Sequence, residues 1–182
     1  MSKIPKLSIT RLDSMLIEND SDNEQQSYKL GLWCLSSEAL FCKHPYKRYL
    51  AFHYDNSDDD IASKHHSVVH GVFDKLMPLL ANELNSFHET GFSIRFWKIT
   101  VGYWFRQYLD VFYDRYQVMA KVRDSGKKFE VFTIEESSEW IANDTDDYST
   151  NIMSDLLNHQ LFSHSIHRVP GFHIVGKINA QH

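Results

Sequence analysis

The sequence predicts an α/β fold. Short apolar runs rich in β-formers stand at SYKLGLWCL (27–35), FEVFTI (129–134) and FHIVGKI (172–178). Longer stretches between them place apolar residues at steps of three, four and seven, the spacing of one helical face. Turn chemistry separates the two kinds of segment: SGKK at 125–128 and Pro170-Gly171 before the last run.

The elements follow in chain order. Residues 1–27 end in the polar run ENDSDNEQQ and read as a flexible N-terminal segment. SYKLGLWCL reads as a buried strand, the first of a sheet, and residues 28–182 as one domain. Residues 36–57 read as an ordered loop with Pro45, Tyr46, Tyr49, Phe52 and Tyr54. Ser57, Asp58 and Asp59 offer caps to a helix running to Phe87, with an apolar stripe through Ile61, Val68, Val72, Leu76, Leu80 and Leu84 and a bend at Pro78. Gly91 marks a turn into SIRFWKITVGYWFRQYLDVFYDRY (93–116), which holds nine aromatic residues. Its six charges exclude a lipid span, because each costs about 2.5–3.5 kcal/mol at the centre of a membrane helix. The stretch reads instead as a helix covered on more than one side, its aromatics packed rather than offered to a ligand. FEVFTI alternates and is the second predicted strand. A further amphipathic helix is predicted over Ile152–Ile166, and FHIVGKI is the third strand.

Composition narrows the function. The net charge is −5, against the basic excess of a general nucleic-acid binder. Two cysteines, Cys34 and Cys42, make no disulfide framework and point to a reducing compartment. No signal peptide and no transmembrane span is legible, so a cytoplasmic chain is expected. GxxxxGK[ST] and GxGxxG are absent, which excludes a P-loop and a standard dinucleotide site, and no cofactor is expected. His66 and His70 lie one helical turn apart, but without HExxH they read as polar surface. His159, His164 and His167 read the same way, and no metal is expected.

Two places suit chemistry. His53 and Asp55, in AFHYD, precede a helix N-terminus, a position for an anion or a sugar hydroxyl. His88 precedes a turn, and Arg95 and Lys98 begin the aromatic helix, where cations and amides together can hold a phosphate or carboxylate. Surface charges beside a turn are the plainer account of this second group.

LGLWC (30–34), HYD (53–55), PLLANELNSFH (78–88), the aromatic stretch and LLNHQLFSHSI (156–166) follow one another in an order that resembles the N-terminal part of a family of transferases from bacterial surface-carbohydrate and lipopolysaccharide (O-antigen) biosynthesis loci. The resemblance covers roughly residues 28–166. Leu32 stands where that family has an acid, Tyr54 where it has Trp, Phe92 in place of His, Tyr103 in place of Pro, and Leu157 in place of the Trp before Asn158-His159.

The resemblance implies a partial Rossmann-like domain of a two-domain (GT-B-like) glycosyltransferase with long aromatic-rich helices. This chain would be its acceptor-side part, stopping before the donor-binding domain. It implies a nucleotide-sugar donor, a glycan or lipid-linked acceptor, and work in the cytoplasm or at the periphery of the inner membrane. Catalytic roles would fall to His53, Asp55 or His88, and substrate binding to Ser93, Arg95, Trp97 and Lys98. The departures favour an alternative, a non-catalytic remnant or interaction module that pairs with a separate domain. An incomplete sheet also predicts an exposed apolar edge and self-association.

Overall fold

The computed structural model describes residues 4–18, 27–34 and 59–179. The chain divides into two compact units, residues 1–53 with 115–182, and residues 54–114.

The first unit is built on a four-stranded parallel sheet, β1 (Lys6–Ser8), β2 (Ser27–Lys29), β3 (Phe129–Ile134) and β4 (Phe172–Ile178), in the order β2-β1-β3-β4. Helix α1 (Arg11–Glu18) connects β1 to the β2 side. Of the helices between β3 and β4, α4 (Thr145–Asn151) and α5 (Asp155–Ile166), the second packs on β3. The result is α/β with a parallel, Rossmann-like sheet. β3 and β4 match the predicted runs end to end. Their pairing slips by one residue after Val131, where Phe132 comes opposite Gly176. Gly176 leaves room at the slip, since a Cβ there would stand 3.0 Å from the Phe132 ring, tighter than ordinary contact.

The N-terminal expectation is corrected here. Residues 6–18, placed in a flexible segment, form an interior strand and a capped helix. Thr10 caps α1, its Oγ1 accepting from the Leu12 amide at 3.3 Å, and Asp13 reaches back to the Thr10 amide at 3.0 Å. Thr10-x-x-Asp13 is thus a capping box with an aspartate in the reciprocal position. SYKLGLWCL is the second strand rather than the first, and it leaves extended structure early. After Lys29 the chain turns into a 3₁₀ turn at Leu32–Cys34. β2 and β4 are the edges among the described residues, and β4 leaves Ile174 and Val175 more than a third exposed.

The second unit holds α2 (Asp59–Phe87) and the part of α3 (Ile94–Asp124) up to Asp114. α2 runs unbroken through Pro78. The core between the two helices is Met77, Ala81 and Trp97, with Phe73, Leu80, Leu84, Val101 and Phe105 around it. The aromatic stretch is a helix, as predicted, but its cover is partial: Ile99 is 76 % and Tyr103 69 % exposed. None of the described helices is long and apolar enough to cross a membrane.

Candidate functional site

In an open parallel sheet the carboxyl ends of the strands share one edge, and ligands bind there where the strand order reverses direction. Here that point lies between β1 and β3: β2 continues from β1 to one side, and β4 from β3 to the other. The residues following β1 form a polar cluster at this edge.

The Asp13 carboxylate accepts from the Ile9 amide at 2.8 Å as well as from Thr10, and the amide of Asp13 itself also faces it. Burial pushes its pKa up to about 7, although these amides and the nearby Lys29 charge pull the other way. Lys29, itself buried, donates to Ser14 Oγ.

Thr10 Oγ1 also lies 2.8 Å from His159 Nδ1. The Leu12 amide already donates to that hydroxyl. Beside that bond the hydroxyl keeps its proton and a second lone pair, so Thr10 donates to Nδ1 or accepts from it according to the tautomer. Burial lowers the His159 pKa to about 4, against a small upward pull from the Phe132 carbonyl. His159 is thus neutral and fully buried, which corrects its reading as polar surface. Neither Nε2 nor the buried Thr133 Oγ1 closes a hydrogen bond among the described residues. One position before His159, Asn158 accepts from Arg115 Nε at 2.7 Å and donates to the Ser154 carbonyl at 2.8 Å. Two segments that carry the resemblance, ending in Asp-Arg-Tyr (114–116) and containing Asn158-His159, therefore meet in this unit.

Trp33 completes the edge. Its Nε1 donates to the Ile9 carbonyl at 2.9 Å, and its ring lies stacked with Phe162 of α5 at 6.4 Å and 8°. Sequence reading gave it no role, although it stands in the quoted LGLWC. The signal was Gly31: a Cβ there would come within 2.3 Å of the Trp33 ring, so only glycine lets the indole fold back.

The next residue, Cys34, is fully buried and free, its Sγ donating to the Ser8 carbonyl at 3.3 Å. Burial pushes the thiol up to about 12, far from the range of a nucleophile. In a Cys42→Ser chain Cys34 is the remaining thiol, and iodoacetamide at pH 8 is expected to leave it unlabelled until urea unfolds the protein. Rapid labelling of the native chain would show an exposed, activated thiol instead.

The sequence-predicted residues lie elsewhere. His53 and Asp55 fall outside the described residues. His88, Ser93, Arg95, Trp97 and Lys98 gather at the turn between α2 and α3. Ser93 caps α3, its Oγ accepting from the Phe96 amide at 3.2 Å. Trp97 is 6 % exposed and donates to Asn85 Oδ1 at 2.9 Å. The same oxygen accepts from Thr90 Oγ1 and the Phe92 amide, so Asn85 organises the whole turn. Lys98 sits 3.7 Å from Asp74 and over the Phe73 ring. His88 stacks on Trp97 at 5.9 Å and stays exposed, as does Arg95. His66 meets Arg106 at 3.2 Å and His70 meets Asp74 at 3.5 Å. Among the described residues no three His, Cys, Asp or Glu are grouped to hold a metal ion.

Comparison with known proteins adds one finding. A family model described as LIC12162 family transferase matches residues 14–180. The chain belongs to the LIC12162 family of transferases. The match runs from within α1 through β4 and takes in Lys29, Trp33, His159 and the helical hairpin, while Thr10 and Asp13 lie just before it. No curated protein and no solved structure matches the chain.

Proposed function

We propose that this transferase-family chain is the acceptor-side, Rossmann-like domain of a two-domain sugar transferase in bacterial surface-polysaccharide biosynthesis, working in the cytoplasm. Its donor would be a nucleotide-activated sugar, held by a separate domain of the GT-B-like pair, and its acceptor a glycan or lipid-linked hydroxyl. The acceptor oxygen attacks the anomeric carbon, the bond to the donor phosphate breaks, and the nucleotide leaves. The acceptor proton passes to a base, for which His53, Asp55 and His88 are the proposed candidates. Of the turn residues proposed to bind substrate, Ser93, Trp97 and Lys98 already serve the hairpin, and exposed Arg95 is the best placed to meet a charge.

The observation that carries the acceptor-side assignment is Asp13. Helix N-termini after the first strand of such sheets cradle phosphate with their amides. Here a carboxylate of the chain itself takes the amides of Ile9 and Thr10, and Thr10 takes that of Leu12. A donor pyrophosphate finds that position filled.

Calorimetry with UDP-, GDP-, CMP- and dTDP-sugars tests the assignment. The folded chain is expected to bind none of them. Saturable binding of one, lost when the sugar is presented without its nucleotide, would move the donor site into this chain and end the acceptor-side reading.

A further inference from the structure

At the amino ends of the strands, opposite the polar cluster, the chain leaves a cavity of about 340 Å³. That lies within the ~300–1,000 Å³ typical of small-molecule sites. Ile4 stands before β1, Lys128 before β3, and Gly171, Phe172 and His173 at the start of β4, so three neighbouring strands supply the walls. The polar groups of this lining are uncommitted. Neither the Lys128 ammonium nor the His173 ring closes a hydrogen bond or ion pair among the described residues. The Gly171 carbonyl accepts from the Phe129 amide at 3.4 Å, but its own N–H has no partner among them. Gly171 holds φ at +107°, a conformation that favours glycine, and a Cβ there would meet nothing within 4 Å. The space at Gly171 is therefore open, unlike that at Gly31 and Gly176, which a neighbouring ring fills.

The lining selects a ligand by charge and by polarity. Lys128 brings a compact cation with three donors and Gly171 an unpaired N–H, and both suit an oxyanion. His173 adds a ring N–H, present in either tautomer. Lys128 is the one permanent positive charge in the lining, and Glu130, opposite His173 in the β3–β4 register, sets a negative charge beside it. A carboxylate with its single charge fits that balance better than a phosphate monoester with nearly two. Ile4 and half-buried Phe172 supply an apolar wall, which a ligand uses only if it carries an apolar body.

We propose that this pocket binds a small monocarboxylate with an apolar body, an alkyl chain or an aromatic ring. The site goes beyond the acceptor-side reading and does not rest on it. Reactants of a parallel sheet bind at the carboxyl edge, so a carboxylate at the amino edge acts as an effector. It ties together the ends of β1, β3 and β4 and stabilises the folded chain by mass action.

The test is amide NMR on the ¹⁵N-labelled full chain. Benzoate, phenylacetate and hexanoate are titrated in, with benzyl alcohol and hexanol as uncharged bodies and acetate and inorganic phosphate as bare anions. The expected result is a saturable shift of the Lys128, Gly171 and His173 amides by at least one of the first three. The alcohols and the bare anions should leave those amides unmoved at the same concentrations. Lys128→Gln should weaken the bound carboxylate about tenfold, the loss of a charge-assisted hydrogen bond. Lys127→Gln removes the neighbouring cation, which lies over the Tyr28 ring at 5.5 Å instead, and should leave the affinity unchanged. Both lysines are exposed, and the amide spectrum reports the fold of each variant directly. No saturable shift by any carboxylate overturns the proposal. Equal binding of an alcohol or a bare anion does so too, as does equal weakening by the two lysine variants, which would report general attraction rather than a site. The nucleotide-sugar calorimetry probes a different ligand class, so the acceptor-side reading and this site can each fail without the other.

Discussion

Trp97→Ala is expected to destabilise the helical hairpin by about 3–5 kcal/mol, the cost of emptying a large aromatic site in a core. The indole is packed with Met77 and Ala81, and few other side chains fill the space between α2 and α3. Its N–H is one of three donors on Asn85 Oδ1, so truncation also weakens the hub that fixes Thr90 and Phe92. Trp97→Phe keeps most of the packing and drops the hydrogen bond, for a loss nearer 1 kcal/mol. Urea unfolding followed by circular dichroism measures both. The resemblance gives Trp97 a substrate-binding role, which makes a different demand. A Trp97→Ala chain that unfolds at the wild-type midpoint but no longer binds an acceptor would assign the ring to the ligand rather than to the fold.

The strands and helices that were legible had long or well-bounded patterns. FEVFTI and FHIVGKI are six and seven residues of alternating or continuous β-formers ended by turn residues, and both appear as read. The two long helices carried apolar stripes over many successive turns. β1 escaped because Lys6–Ser8 is too short to show a period. Its signal was the following Thr10-x-x-Asp13, a helix start, overshadowed by the polar run after Glu18. In LGLWC the apolar run was read as strand, but the Trp33 ring needs Gly31 beneath it, and that turn ends the extended chain.

Site residues were harder to read for a physical reason. α5 is buried nearly all round, with Leu157, Asn158, His159, Leu161, Phe162, Ser163, Ser165 and Ile166 all inside. A helix without a solvent face has no stripe from which to tell an inward histidine from an outward one. His159 therefore passed for polar surface, although Thr10 from 149 residues away supplies its partner. The resemblance likewise gave Trp97 to a ligand, and a place at a helix start gave it Lys98. Asn85, which claims the first, and Asp74, which claims the second, come from the preceding helix and are aligned only by the hairpin. Arg115 and Asn158 make the opposite case: two quoted segments, 43 residues apart, whose meeting no local pattern announces.

Asp13 and His159 are expected to hide each other's effect on stability between about pH 4 and pH 6.5. Folding raises the Asp13 pKa from 3.8 to about 7. In that interval the folded chain keeps a proton that the unfolded chain has released, so the Asp13 contribution falls as pH rises. Folding lowers the His159 pKa from 6.5 to about 4. Over the same interval the unfolded chain holds the extra proton, so the His159 contribution grows as pH rises. Each slope is at most about 1.4 kcal/mol per pH unit, and with opposite signs they cancel. Either substitution unmasks the other group. Asp13→Asn should give a chain whose stability, relative to wild type, climbs from pH 4 to pH 6.5. His159→Asn, whose side-chain amide can still pair with Thr10, should give one whose relative stability declines over the same range and levels off above pH 6.5. Urea midpoints taken through that range for the three chains decide it. Two substituted chains that track the wild type in parallel at every pH would mean that neither group changes its protonation on folding, and that the switch-point edge is open to water rather than closed around its own carboxylate and imidazole.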